Sequence, residues 1–179
     1  YQIVSDIREK NMSEEMLSEK INGKQQAVTL TVDGKTVFNL GDMSENTRLA
    51  GLDLKVESGV LKYGNGKDSP VAEKGTVSIH EISVPEIKMF RIVLPDGSGV
   101  WLNSGSRLSY PSSFDETSRV VSLDGEGYFE IAKDASRPFI VKGKGMSVRV
   151  TGTKFDFKAY SDDNRLSATL VEGKVSVGY

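Results

Sequence analysis

The chain has 179 residues, 23 basic and 25 acidic side chains, a net charge of −2 and no cysteine. Interspersed, nearly balanced charges give no electrostatic footprint for nucleic acid or a polyanionic surface. The missing thiols remove disulfide frameworks, thiolate metal sites and cysteine nucleophiles together, and no apolar run approaches the roughly 18 residues that cross a bilayer.

With neither an initiator methionine nor a basic-then-apolar leader at Tyr1, the sequence reads as a soluble piece of a longer protein. Ser13, followed by Glu14 and Glu15, predicts a helix start, with Met12, Met16, Leu17 and Ile21 at helical spacing and Gly23 as the stop. Residues 1–23 are therefore expected to form a short helical segment ahead of one β domain over 24–179. From Gln26 onward the period changes to two. Val28, Leu30 and Val32 alternate with polar residues before Asp33-Gly34, a strong hairpin signal, leads into Val37-Phe38. Phe90, Ile92 and Leu94 share a face before Pro95-Asp96-Gly97 turns the chain into Val100-Trp101-Leu102.

Further alternating faces follow as Leu108/Tyr110, Val121/Leu123, Phe129/Ile131, Phe139/Val141, Met146/Val148/Val150, Phe155/Phe157, Leu166/Ala168/Leu170 and Val175/Val177/Tyr179. Short strands punctuated by glycine and proline predict an all-β fold of two stacked sheets, either a sandwich or a β-helix-like stack. Gly125, Gly152 and Gly173 are expected where the chain reverses, and Trp101, Tyr128, Phe129, Phe139, Phe155 and Phe157 in the core. Asp33-Gly34 and Asp96-Gly97 open similar strand-turn-strand units. These are either a decayed repeat or the same hairpin chemistry used twice.

No catalytic or metal-binding set can be assembled. His80 has only Glu81 and Glu86 near it in sequence, and a solvent-facing or strand-edge position is expected. Asp156, Asp162, Asp163 and Glu172 lack calcium-loop spacing, and 161–164 reads as a polar hairpin tip. Glu126 and Glu130, four residues apart on a strand, would stand about 13 Å from each other, too far for a glycosidase pair. Pairing with Arg119 or Arg137, or plain solvation, is the expectation. Tyr63, Trp101, Tyr110 and Tyr160 could together form a glycan-stacking surface if exposed.

Residues 94 to 177 carry a denser signal. Leu94-Pro95-Asp96-Gly97 leads to Val100-Trp101-Leu102-Asn103, then Ser106-Arg107-Leu108-Ser109-Tyr110-Pro111 and Arg119-Val120-Val121. Gly125-Glu126-Gly127-Tyr128-Phe129-Glu130-Ile131-Ala132-Lys133-Asp134, Arg137-Pro138-Phe139, Gly152-Thr153-Lys154-Phe155 and Thr169-Leu170-Val171-Glu172-Gly173-Lys174-Val175 follow. This order resembles the FecR family, the extracytoplasmic sensor regions of bacterial anti-sigma factors. The chain departs from the usual pattern at Gly127, Thr151 and Asp156, where the family has alanine, leucine and asparagine.

The resemblance implies a non-enzymatic, cofactor-free periplasmic module of a protein anchored once in the inner membrane. It implies two partners: the signalling domain of an outer-membrane TonB-dependent transporter, and an extracytoplasmic-function sigma factor bound through a cytoplasmic region outside this sequence. A small α/β domain commonly follows the Gly173-Lys174-Val175 strand in the family. For a β-rich receiver the expected contact is strand addition at a sheet edge. The last strands, with Ala168, Leu170, Glu172, Lys174, Ser176 and Tyr179, are the candidate edge by their position. The alternative function is a glycan- or ligand-binding β module that senses a small molecule directly.

Overall fold

Period-two alternation, interrupted only by turn residues, is written into the backbone as strand after strand. A computed structural model describes residues 27–41, 43, 47–48, 54–63 and 77–178, with 47–48 as backbone alone. The predicted helix around residues 13–22 lies outside the described residues. The strands are β1 (Thr29–Val32), β2 (Thr36–Asn39), β3 (Thr47–Arg48), β4 (Leu54–Glu57) and β5 (Val60–Tyr63). They continue as β6 (Ile79–Ser83), β7 (Phe90–Val93), β8 (Gly99–Leu102), β9 (Arg107–Pro111) and β10 (Arg119–Glu130). The last are β11 (Phe139–Gly143), β12 (Met146–Val150), β13 (Lys154–Ala159), β14 (Ser167–Glu172) and β15 (Ser176–Gly178). The all-β expectation holds across the described residues.

One sheet curls on itself through β10. Residues Arg119–Asp124 of β10 pair with β11 and β9, and Gly125–Glu130 pair with β13 and β8. The front half therefore runs β2-β1-β6-β9-β10-β11-β12-β15, and the back half β14-β13-β10-β8-β7-β5-β4-β3. The expected reversal at Asp124-Gly125 does not occur. Val121/Leu123 and Phe129/Ile131 belong to one continuous run, and Gly125 (φ 131°) is where that strand changes sheets. A Cβ there would sit 2.3 Å from Ser106 Oγ, so only glycine lets β10 cross so close to the β8–β9 connection.

The two halves bury a common core. Phe129 stacks on Phe155 at 5.1 Å between centroids and meets Phe139 of the front half at 6.4 Å. Gly143 of β11 sits so near the back half that a Cβ would fall 2.8 Å from Ala159 Cβ. Trp101 and Tyr128, expected inside, are half-buried on the outer face of the back half. They alternate out of phase with the buried Val100, Leu102 and Phe129, so the pleat turns them outward. Turn chemistry is as the sequence suggests. Ser58-Gly59 and Lys144-Gly145 both have positive φ at both residues, the mirror-image turn that matches strand twist. Asp33-Gly34 also turns in the left-handed region. The two Asp-Gly units lie in different halves, β1–β2 in front and β7–β8 behind.

Candidate docking edge

Among the described residues, the last strands form two edges in different halves of the sheet. Of the strands among the described residues, β14 pairs with β13 alone and closes one side of the back half, and β15 pairs with β12 alone and closes the front half. Ala168, Leu170 and Glu172 belong to the first, and Ser176 to the second. Lys174 lies in the turn between them, where its carbonyl accepts from Thr153 Oγ1 at 2.9 Å. Tyr179 lies outside the described residues. Gly173 (φ 104°) makes this crossing possible, with Thr153 Oγ1 2.9 Å from where a Cβ would stand.

Apolar side chains line both rims. Leu170 is 43% exposed, Val171 62% and Val177 47%. The register slips between Lys154↔Glu172 and Phe155↔Leu170, which leaves Val171 as the extra residue of a bulge. The bulge blunts only the C-terminal end of β14. From Ser167 to Leu170 the strand has neither proline nor lysine, the residues that usually protect an open edge.

The motifs that carry the family resemblance have a different job. Arg119 is 1% exposed and forms an ion pair with Asp96, and its guanidinium also donates to the carbonyls of Arg137 and Ala132 at 2.8 and 2.9 Å. Ser98 Oγ donates to Asp96 Oδ2 at 2.7 Å and accepts from Ala132 N at 3.0 Å. Asp134 accepts from Ser136 Oγ at 2.6 Å and from Arg137 Nε at 2.8 Å. These bonds, the serine hydroxyl first, hold its carboxyl well below the usual carboxylate range. Arg119 and Arg137 are thus engaged with aspartates, not with the expected Glu126 and Glu130. Parity could have shown it: Arg119 shares the inward register of Val121 and Leu123.

His80 overturns its sequence-based placement most clearly. It is buried, 1% exposed, because it alternates in phase with the core residue Ile82 on β6. Tyr63 Oη and His80 Nδ1 share a hydrogen bond of 2.5 Å, and the two rings stack at 6.0 Å. Tyr110, opposite His80 on β9, meets its ring edge-on at 5.7 Å. His80 Nε2 and the Tyr110 hydroxyl are buried with no hydrogen-bond partner among the described residues. Burial pushes the imidazole pKa down and both phenol pKa values up.

This placement also dissolves the glycan-stacking surface, since Tyr63 and Tyr110 point inward. Trp101 is covered by Arg91, 4.5 Å from the ring centroid, and Tyr160 is tied to the Ser104 carbonyl at 2.9 Å. Among the described residues, no group of three or more His, Asp or Glu side chains is placed to hold a metal ion.

The sequence model of the family described as FecR protein matches residues 80–176. Two crystal structures of a candidate anti-sigma factor from Parabacteroides distasonis ATCC 8503 are similar in fold and sequence. The first, at 2.50 Å resolution, has 37% identity and a TM-score of 0.54 over 55% of this chain and 46% of its own. The second, at 1.65 Å, has 38% identity and a TM-score of 0.53 over 54% of this chain and 46% of its own. The match thus spans about half the length of these solved relatives. No curated protein matches the chain. With more than half of its residues matched, and the matched motifs forming the Arg119 staple and the β10 crossover, the chain belongs to the FecR family.

Proposed function

We propose that this chain is the signal-receiving β module of an anti-sigma factor, working by protein contact. In this reading it stands in the periplasm, within a protein anchored once in the inner membrane. It takes its input from the signalling domain of an outer-membrane TonB-dependent transporter. The output is the hold on an extracytoplasmic-function sigma factor, exerted through a cytoplasmic region outside this sequence. Family membership and the likeness to anti-sigma relatives support the regulatory class.

The observation that carries the contact mode is the β14 edge, whose far side pairs with no strand among the described residues and has Leu170 and Val171 exposed beside it. An added strand would satisfy the backbone donors and acceptors on that side, and the exposed apolar groups would give side-chain specificity. The test is calorimetric titration of the chain with the isolated signalling domain of the transporter encoded beside its gene. Saturable binding is expected, and sugars or iron chelates alone should give no heat. Tight binding of a small nutrient with no response to the protein domain would sink this reading.

A further inference from the structure

The chain's single histidine sits where Tyr63, at the end of the β4–β5 hairpin, reaches the front half. We propose that Tyr63, His80 and Tyr110 form a proton-sensitive latch that closes this hairpin onto the front half near neutral pH and releases it in acid. Such a latch would act whatever partner the β14 edge takes.

The position of Tyr63 makes a latch useful. Among the described residues, β5 pairs in parallel with β7 only at Val60 and Leu61, so beyond Leu61 its ladder partner there is β4 alone. Tyr63, the last residue of β5, reaches across to the front half through its hydroxyl and ring. His80 and Tyr110, directly opposed on β6 and β9, form the receiving side.

The chemistry requires a neutral ring. An imidazole bonded at Nδ1 can keep Nε2 unpaired in an aromatic pocket at modest cost. An imidazolium would place a full charge there and make both ring nitrogens donors, with only Tyr63 Oη beside Nδ1 and no hydrogen-bond partner for Nε2 among the described residues. Few charges oppose this. Asp33, in the β1–β2 turn, is the carboxylate that acts on the ring, and it is already engaged by Ile79 N at 2.7 Å, with Lys35 next in the same turn. β9 offers Tyr110 and β5 offers Tyr63, whereas Glu81 and Lys62 alternate to the outer faces. The sign follows from linkage. With the closed-state pKa depressed, the open hairpin takes up a proton below about pH 6.5 and the closed one does not. Closure therefore weakens as pH falls, by up to about tenfold per pH unit.

Amide hydrogen exchange on the intact chain from pH 7.5 to 5, corrected for intrinsic rates, reads the latch directly. The opening constant for amides in residues 54–63 is expected to rise close to tenfold per unit below about pH 6.5, with β10 amides lagging well behind. The lone imidazole, followed by NMR in the same samples, should titrate below its ordinary value. In His80→Gln the hairpin profile should flatten. Tyr63→Phe, which keeps the ring and loses the bond, should raise hairpin opening at pH 7.5. Three results would each overturn the proposal: an imidazole titrating at or above its ordinary value, hairpin opening that ignores pH, or a rise shared equally by every strand. Asp156→Asn is the remaining control, because burial and then Glu126 raise that carboxyl too. A profile lost in Asp156→Asn and kept in His80→Gln would also overturn it. If His80→Gln does not fold, exchange and titration of the natural chain still decide.

Discussion

Arg119 Nη1 donates to Asp96 Oδ2 at 2.7 Å across 23 residues of chain, in a setting where the two side chains are 1% and 5% exposed. The pair fastens the β7–β8 turn to the start of β10, and the further bonds of Arg119 to Ala132 and Arg137 bring in the β10–β11 connection. A buried charge pair is seldom a net gain over a well-packed apolar pair, but removing one partner strands the other. Arg119→Ala and Asp96→Ala are each expected to cost about 3–5 kcal/mol in urea unfolding. The double replacement should cost well under the sum, because the two losses describe one interaction. Additive losses would show that the two side chains act separately.

Gly125 and Gly127 stand two residues apart on β10 and should respond very differently to alanine. At Gly125 the left-handed φ and the 2.3 Å approach to Ser106 Oγ both resist a Cβ. At Gly127 the φ is ordinary, and the nearest obstacle is Phe129 Cε2 at 3.1 Å, the edge of a ring that can shift slightly. Gly127→Ala should stay within about 1 kcal/mol of the natural chain, since alanine also restricts the unfolded state. Gly125→Ala should exceed about 3 kcal/mol or block folding, as overpacking and strain add. Thermal melts of the pair check this, and equal shifts would mean that β10 is not pinned at Gly125.

The difference between these glycines shows what the sequence can reveal. Alternation, turn pairs and the Asp-Gly hairpins were legible because each is a local rule, and β1, β2, β7, β8 and β11 to β13 stand where those rules put them. The β10 crossover was not, since a glycine written as a turn and a glycine written as a close approach look alike until the partner, Ser106, is known. His80 and Arg119 are hard to place for a related reason: their polar identity points outward, yet both sit in phase with core residues, Ile82 and Val121. The two strand edges were half legible: alternation marked Ala168/Leu170 and Val175/Val177 as strands, but only the pairing of β14 with β13 and of β15 with β12 places them in different halves.

Phe129 and Phe139 join the two halves of the sheet, each 0% exposed. Truncation of either ring to alanine is expected to cost roughly 3–5 kcal/mol, from lost transfer energy and the cavity left behind. A loss below about 1 kcal/mol in the unfolding midpoint analysis would mean that the halves do not depend on this contact.

Ile87, in the β6–β7 connection, has φ 67° and is 97% exposed. A β-branched residue held in the left-handed region pays roughly 1–2 kcal/mol that asparagine largely avoids. Ile87→Asn should therefore raise stability by up to about 1 kcal/mol, because no buried contact is lost in exchange. A drop in melting temperature would show that the exposed side chain packs against something in the folded chain.

The two rims can be separated by charge. Leu170 on β14 and Val177 on β15 are similarly exposed, 43% and 47%, so a lysine at either should leave the fold within about 0.5 kcal/mol of the natural chain. An exposed lysine on an open strand discourages a second strand from pairing there. If the signalling domain adds to β14, Leu170→Lys should weaken binding at least tenfold and Val177→Lys should not. The opposite pattern would move the interface to the front half and to the rim that Ser176 occupies. Affinity for the natural chain is expected at the micromolar end, roughly −8 kcal/mol, as suits a relay that must release. Calorimetry on the three proteins decides between the rims, and equal affinity in all three would exclude both as the docking edge.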